Sequence, residues 1–215
     1  MASARETRVR ALTSFISLLA MCAACSTQPE AAHDPDGLGA GVHLIRGMSE
    51  PGRQPDGNTV VLDAQGGLIV FDTGRHAAHT QKIVDYAMAR GKPVIAIFNS
   101  HWHLDHVSGN RRLRDIFTGA AVYSSDAALT EALRNFLARG AEGNRKAIAE
   151  GRLNPGQLED AQGDLATVEN GERLRPTVPV EKTQTLVIGG RRIEAHFAKG
   201  ASSGDIWLYD PAAKL

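Results

Sequence analysis

The chain has 215 residues, of which 42% are hydrophobic and 22% are charged, and its 24 Lys and Arg balance its 24 Asp and Glu. This composition excludes an intrinsically disordered chain, and the length suits one domain with a sizeable core. A zero net charge gives no sign of the basic surface that binds nucleic acid, and no apolar run is long enough for a transmembrane helix. We therefore expect a globular domain that does not bind nucleic acid.

Residues 1–25 have the pattern of a bacterial export signal. Three arginines precede a short apolar stretch at residues 11–21, and small residues follow. Both cysteines of the chain, Cys22 and Cys25, lie at the end of this leader, so they cannot form a disulfide framework for the domain. Cys25 is the better candidate for acylation, which would anchor the protein to a membrane surface. We expect a periplasmic protein or an outer-membrane lipoprotein, with the polar residues 26–41 as a tether.

The first half of the domain, which we place at residues 42–215, alternates predicted strands and helices. A short strand at residues 42–46 precedes two apolar runs, at 59–62 and 68–71, whose intervening Asp-Ala-Gln-Gly-Gly predicts a hairpin. Neither run alternates strictly, which predicts strands covered on both faces. A helix follows with its apolar face formed by Ile83, Val84, Ala87 and Met88, and Gly91 ends it.

The second half continues the same alternation. Residues 94–98 form another apolar run, and Asn110 is predicted to cap a short helix. After a strand at residues 122–123, the sequence predicts a helical insertion at about 127–172, with Asn154-Pro155 starting one of its helices. A hairpin turning at Gly189-Gly190 and a strand at 206–209 follow. The order predicts a mixed α/β domain with sheets buried under helices.

One segment carries the chemistry of a metal site. His101, His103, Asp105 and His106 fall within six positions, directly after the apolar run at 94–98. Imidazole nitrogens and carboxylate oxygens are ligands that Zn²⁺ prefers. In an extended or turning loop His101 and His103 chelate one ion, and Asp105 and His106 are displaced enough to address a second. A bound ion would lower the pKa of a water to about 7. The alternatives are a solvated polar loop and a purely structural metal site.

The run at residues 98–110, Phe-Asn-Ser-His-Trp-His-Leu-Asp-His-Val-Ser-Gly-Asn, resembles the zinc loop of the metallo-β-lactamase superfamily. Residues 70–74, Val-Phe-Asp-Thr-Gly, are similar to the family's Asp-Thr-Gly turn, in which Asp72 would support the metal ligands. The resemblance covers roughly residues 42–209. It implies an α/β fold, a four-layer αβ/βα sandwich with the metal site at its edge.

The same resemblance implies a function. It predicts hydrolysis of a small-molecule ester, thioester, lactone or β-lactam by a metal-bound hydroxide, with Asp105 as a catalytic residue. The expected cofactor is one or two Zn²⁺ ions, with Fe or Mn as alternatives. The oligomeric state is not indicated.

The chain departs from the family pattern after the glycine hairpin. The family places a third histidine where this sequence has Ala201, and it places a bridging carboxylate and a last histidine beyond Leu215. We therefore expect a C-terminally shortened chain, an incomplete second sheet and two protein ligands for each metal instead of three. His196 is a candidate substitute ligand, although it lies between charged residues on one face of a predicted strand. His76 and His79 are candidates for the rim of the site.

Two hypotheses follow from these residues. The first is a zinc-dependent hydrolase, and the intact four-residue motif favours it. The second is a protein that keeps the fold and metal loop as a binding or scaffold module without a competent catalytic centre, and Ala201 favours it.

Overall fold

The computed structural model describes residues 38–39 and 41–215; the predicted leader and nearly all of the tether lie outside these residues. Nine strands and six α-helices are present in the described part, arranged as a six-stranded sheet, a three-stranded sheet and flanking helices. The mixed α/β class predicted from the sequence is confirmed. No helix among the described residues is long and apolar enough to span a membrane.

The large sheet has the order β1-β2-β3-β4-β5-β6. Its strands are β1 (Val42–Ile45), β2 (Thr59–Ala64), β3 (Gly67–Phe71), β4 (Val94–Phe98), β5 (Ala121–Ser124) and β6 (Val178–Pro179). The first three strands form an antiparallel meander, and the last four run parallel. Because parallel strands need crossover connections, helices fill the segments between them.

The helices occupy these crossovers. Helix α1 (Ala77–Arg90) links β3 to β4, and α2 (Leu104–Val107) and α3 (Asn110–Ile116) link β4 to β5. Between β5 and β6 lie α4 (Asp126–Arg134), α5 (Phe136–Ala149), α6 (Pro155–Glu169) and a 3-10 turn (Gly171–Leu174). These last four elements occupy the segment where the sequence predicts a helical insertion.

The small sheet is antiparallel and consists of β7 (Gln184–Ile188), β8 (Arg191–Ala198) and β9 (Asp205–Tyr209). Its hairpin turns at Gly189 and Gly190, which both adopt positive φ angles, of 55° and 85°. Such angles are accessible to glycine without strain, so the glycine pair determines where the chain reverses.

Three apolar clusters hold the layers together. One lies between the large sheet and helices α1 and α3, and includes Val70, Ile83 and Leu113. The second joins the two sheets through residues such as Phe98 and Ile193, both fully buried. Burying side chains of this size contributes about 1.5–3 kcal/mol each. The third cluster packs α4 and α5 against α2, and so attaches the inserted helices to the segment that carries the histidine motif.

Two details differ from the sequence prediction. Met88 is 61% exposed, because the buried face of α1 is formed by His79, Thr80, Ile83, Val84 and Ala87 instead. Asn110 does not cap α3: Gly109 is the N-cap, and the Asn110 side chain is buried and bonded to Asn99 and Thr73. A buried amide of this kind satisfies its polar groups inside the fold and not at a helix end.

Candidate metal centre

The site lies where two neighbouring parallel strands end. Phe71 of β3 pairs with Phe98 of β4, so Asp72 and the loop that begins at Asn99 leave the sheet at the same edge. The loop continues through Ser100 to the start of α2, and β9 closes one side of it through a 2.7 Å hydrogen bond from Ile206 N to Ser100 O. The parallel register therefore brings the two predicted motifs together.

The four motif side chains converge in two pairs. His101 Nε2 lies 2.8 Å from His103 Nδ1. His106 Nε2 lies 3.2 Å from Asp105 Oδ2, and the rings of His101 and His106 are 4.2 Å apart between centroids. Across the described residues, however, no group of three or more His, Cys, Asp or Glu side chains is arranged to hold a metal ion. The geometry thus gives two pairs of candidate ligands, and the binding of a metal by these four residues stays a prediction.

The carboxylate of Asp72 orients these pairs. It accepts hydrogen bonds from Ser100 N at 2.7 Å and from Ser100 Oγ at 2.8 Å, and it lies 2.7 Å from His106 Nδ1. Because the Ser100 hydroxyl proton goes to Asp72, Ser100 Oγ accepts from His101 Nδ1, 2.9 Å away. His101 therefore presents an unprotonated Nε2 towards His103.

This arrangement fits zinc in three respects. A metal-bound histidine usually bonds through its other nitrogen to a carboxylate or similar acceptor, as His106 does to Asp72. Two ligands of a tetrahedral Zn²⁺ lie about 3.3 Å apart for Zn–N distances of roughly 2.0–2.1 Å. The Asp105–His106 pair matches this spacing, and the His101–His103 pair would open by about half an ångström. The donor atoms, nitrogen and carboxylate oxygen, are those that Zn²⁺ prefers.

Burial and charge determine the protonation of the cluster. Burial lowers the pKa of His101 and of His103, and the neighbouring His106 lowers both further. Burial acts to lower the pKa of His106 as well, but its hydrogen bonds to Asp105 and Asp72 outweigh this effect and raise that pKa to about 10. Burial acts to raise the pKa of Asp105, and the hydrogen bond and charge of His106 reverse this and lower it. His101 and His103 are therefore neutral imidazoles, the form that binds metal, whereas His106 carries a proton that it would release on binding one.

A cavity of about 400 Å³ opens beside His103 and Asp105. One wall is formed by Trp102, whose ring centroid lies 5.3 Å from that of Phe136, the first residue of α5. The other apolar lining residues include Pro55, Leu104, Leu137, Ala141 and Val168. At the polar end, Arg75 donates a hydrogen bond to Asp164 of α6. Helices α5 and α6 therefore line one pocket together with residues 102–105 of the histidine motif.

Ala201 lies in the loop between β8 and β9, after the glycine hairpin. Its backbone N donates to Asp205 Oδ2 at 2.7 Å, and Ser202 N donates to Asp205 Oδ1 at 2.9 Å. The methyl side chain of Ala201 has no atom that can bind a metal. Asp205 uses both carboxylate oxygens to hold this loop, which directly precedes β9, the strand that bonds to Ser100.

His196 lies on β8, opposite the buried residues Ile193 and Ala195. Its ring stacks on Trp207 at 3.8 Å between centroids, and its Nε2 lies 3.6 Å from Glu194. These contacts within its own sheet disfavour His196 as a substitute ligand, and a role in metal binding stays a prediction.

Sequence reasoning misplaced one residue near the site and missed others. His79, expected at the rim, is only 2% exposed and lies in the interior. Asn99 Nδ2 donates to His106 O at 3.0 Å and to Asn110 Oδ1 at 3.1 Å. The sequence signal that could have identified Asn99 is its position as a polar residue directly after a buried strand. Nothing in the sequence pattern pointed to Phe136 as a pocket residue.

Comparison with known proteins identifies relatives along most of the chain. A profile of the metallo-beta-lactamase superfamily matches residues 52–215. A hydroxyacylglutathione hydrolase of Gloeobacter violaceus is 45% identical over 65 residues, which is 26% of this chain and 26% of that protein. A linear primary-alkylsulfatase of Pseudomonas is 27% identical over 164 residues, 71% of this chain and 24% of that enzyme. The chain thus spans about a quarter of the length of these curated relatives.

Solved structures agree on the fold. A metallo-beta-lactamase from Pontibacter korlensis superposes with a TM-score of 0.51 at 18% identity, covering 80% of this chain and 62% of that one. A stereoselective inverting sec-alkylsulfatase from Pseudomonas superposes with a TM-score of 0.52 at 23% identity, covering 72% of this chain and 27% of that one. At these identities the likeness establishes the architecture alone.

Proposed function

The chain belongs to the metallo-beta-lactamase superfamily, and from this premise we propose that it is a zinc-dependent hydrolase of a small-molecule ester, thioester, lactone or β-lactam. The single observation that carries the proposal is the pairing of His101 with His103 and of Asp105 with His106 next to Asp72, with His103 and Asp105 in the wall of a cavity of about 400 Å³. Perturbed titratable groups beside a concave apolar pocket are typical of active sites.

Each motif residue has a role in this proposal. His101 and His103 would hold one ion, Asp105 and His106 would hold a second, and Asp72 fixes the orientation of His106 and Ser100. When bound, zinc would lower the pKa of a water to about 7 and polarise the substrate carbonyl. Hydrolysis joins the water oxygen to the acyl carbon, breaks the bond to the leaving group and gives that group a proton. Asp105 faces the cavity and stays ionised, so its carboxylate can orient the water and accept a proton from it.

The cavity favours a substrate with an apolar acyl or alkyl part. Trp102 and Phe136 form an aromatic wall next to His103, whose ring centroid is 4.4 Å from that of Trp102. The name of the Gloeobacter relative describes hydrolysis of a hydroxyacyl derivative of glutathione, which supports an acyl substrate. The name of the Pseudomonas relative describes an enzyme that acts on alkyl sulfates. An alkyl sulfate is therefore included among the substrates to be tested.

A substrate panel tests this proposal. Zinc-loaded protein is assayed with a nitrophenyl acyl ester, a glutathione thioester, a lactone, a β-lactam and an alkyl sulfate. We expect zinc-dependent turnover of at least one of the first four substrates. We expect the turnover rate to fall by more than about 100-fold in His103→Ala, because the loss of a metal ligand has a larger effect than the loss of a residue that supports one.

Phe136→Ala is expected to raise KM for long acyl groups several-fold with little change in kcat, because contacts with a remote apolar part of the substrate contribute equally to ground and transition states. Met88→Ala, on an exposed part of α1, is the matched control.

A second candidate is a metal-binding scaffold without turnover. It is favoured by Ala201, which leaves the ion proposed at His101 and His103 with two protein ligands in the described chain, where catalytic zinc usually has three. Zinc bound at the motif with no turnover of any substrate, alkyl sulfate included, would establish this candidate over the first.

We also propose that the protein is exported, on the pattern of residues 1–25. A fusion of residues 1–30 to a reporter that works only in the periplasm is expected to be active. Cys25→Ala is expected to release the protein from the membrane fraction if Cys25 is acylated. Unchanged membrane association in this variant would contradict acylation at Cys25.

A further inference from the structure

Asp72 holds the motif from a backbone conformation that side chains rarely permit. Its φ angle is +63°, and it is one of two residues other than glycine with a positive φ in the described chain. Asp adopts this region more readily than most residues, but the conformation persists only where the surroundings hold it in place. The backbone N of Asp72 donates to Phe98 O at 2.8 Å, which fixes one side of the residue.

The other side of Asp72 is fixed by Thr59. The hydroxyl of Thr59, on the neighbouring strand β2, donates to Asp72 O at 2.9 Å, and Thr59 is fully buried. His79 Nε2 lies 2.8 Å from the same hydroxyl oxygen. A hydroxyl has one proton to donate, and Thr59 gives it to Asp72, so His79 Nε2 must carry a proton and donate it to Thr59. The result is a directed chain from His79 through Thr59 to Asp72.

The surroundings of His79 are shaped around its ring. Gly74, at the end of the Asp-Thr-Gly turn, has a φ of +74°, and a Cβ added there would lie 2.3 Å from Cδ2 of His79. The ring of His79 therefore fits in this space only because Gly74 has no side chain. Burial lowers the pKa of His79, which favours the neutral ring. Its Nδ1 is buried without a hydrogen-bond partner in the described part of the chain.

A histidine in this position is costly, which points to a specific role. A buried nitrogen without a partner destabilises the fold, and an apolar side chain would fill the same space without that cost. The compensating feature is its one hydrogen bond, to the hydroxyl that holds the strained residue of the site.

We propose that His79, acting through Thr59, is a positioning residue that keeps Asp72 in the conformation from which its carboxylate orients His106 and Ser100. The expected consequence for zinc rests on the proposed function. The arrangement of Asp72 and His106 in the metal-free protein does not depend on it.

Paired variants test each link of the chain. Thr59→Val removes the hydroxyl at nearly constant shape, and Thr59→Ser keeps it. His79→Leu removes the donor, and His79→Gln can place an amide N–H near the position of Nε2. Ile83→Ala, a buried residue on the same helix but in the core cluster behind the sheet, reports what a loss of stability alone does.

Zinc affinity is measured by competition with a chromophoric chelator. Thr59→Val and His79→Leu are expected to weaken zinc binding by about tenfold, the low end of the effect of residues that support metal ligands. Thr59→Ser and His79→Gln are expected to stay within about threefold of the wild type, because they keep a hydrogen bond. Ile83→Ala is expected to lower the unfolding free energy and leave zinc affinity unchanged.

The metal-free protein gives a second readout. The imidazole proton of His106 that bonds to Asp72 is expected to give a slowly exchanging downfield NMR resonance in the wild type, which broadens or disappears in Thr59→Val and His79→Leu. If both variants fold and keep this resonance, the proposal is overturned, whatever the protein does with zinc. Equal weakening of zinc binding by Ile83→Ala would also overturn it. Failure of the wild type to bind zinc, with the resonance lost in the variants, would contradict the proposed function and support the positioning role. Should His79→Leu not fold, the nearly isosteric Thr59→Val decides the matter.

Discussion

Asp72 accepts hydrogen bonds from two segments of the metal loop, at Ser100 and at His106. In Asp72→Asn an amide nitrogen replaces one of the two oxygens, and in place of Oδ2 it can accept neither the bond from Ser100 Oγ nor the bond from His106 Nδ1. We expect zinc affinity to fall by about 10–100-fold while the fold is retained. The measurement is chelator competition, with Asp85→Asn on the exposed side of α1 as control, and equal affinity in the two variants would show that Asp72 has no part in metal binding.

Ala201 lies in the loop next to the strand that bonds to Ser100, where the family pattern has a histidine. Ala201→His would add a third imidazole to those of His101 and His103. Because the ion would gain one ligand, its affinity is expected to rise by at least about tenfold. Ser203→His, two residues further along the same loop, is the matched control. An unchanged affinity in Ala201→His, together with loss of binding in His196→Ala, would mean that His196 is the third ligand.

The local part of the site could be predicted from the sequence. His101, His103, Asp105 and His106 are close in the chain, and they come together in the structure because one short loop carries them. Asp72 was foreseen through its Asp-Thr-Gly context. His79 was expected only at the rim and Thr59 was not foreseen, since their contact depends on the pairing of β2 with β3 and on the packing of α1, which no local pattern encodes.

At the scale of elements, one polar network attaches α6 to the loop between β1 and β2. Arg53 Nε and Gln54 N both donate to the carboxylate of Asp160, at 3.0 Å and 2.8 Å. His76 connects the same helix to the start of α1: its Nδ1 lies 2.9 Å from Asp56 and its Nε2 lies 2.9 Å from Asp160. The wall of the cavity formed by α6 is therefore held by side chains from two other segments.

This network makes stability depend on pH in a defined direction. Burial acts to lower the pKa of His76, but the hydrogen bonds and charges of Asp56 and Asp160 outweigh this and raise it. Because the pKa is higher in the folded state than in the unfolded state, the stabilising contribution is fully present below the unfolded value of about 6.5. It is lost as the pH rises through the raised pKa. The other charged groups nearby are Arg53, bonded to Asp160, and the Arg75–Asp164 pair.

We therefore expect wild-type protein to lose more unfolding free energy than His76→Gln when the pH rises from 6 to 9, by on the order of 1 kcal/mol for one charge-assisted hydrogen bond. Urea unfolding of the metal-free proteins at both pH values measures this difference. His43→Gln, at a histidine outside this network, is the control. Parallel pH profiles for wild type and His76→Gln would refute the assignment.

The ends of helices that carry strong capping residues could be predicted from the sequence. The way these helices pack could be predicted less well. Asn154 caps α6 through a reciprocal bond with Gln157, and Gly91 ends α1 in the left-handed conformation, as the sequence patterns indicate. Asn110 shows the limit of such signals. Its side chain serves the hydrogen-bond network under the metal loop instead of a helix end, and only the tertiary contact with Asn99 reveals this role.

At the scale of the whole molecule, the two sheets pack through one apolar layer that includes Ile69, Phe98 and Ile206. The order of apolar runs in the sequence predicted the mixed class. The separation of β7, β8 and β9 into a sheet of their own could not be derived from periodicity, because antiparallel hairpins look alike in sequence whichever sheet they join. The resemblance to a known family provided that part of the prediction.

The central claim is that the histidine motif of this chain binds zinc. Isothermal titration of the purified, metal-free chain with zinc at neutral pH, compared with the double variant His101→Ala/His103→Ala, tests it most directly. We predict at least one zinc per chain in the wild type, and the loss of one bound ion in the double variant. No zinc bound by the wild type, or the same stoichiometry and affinity in both proteins, would contradict the claim.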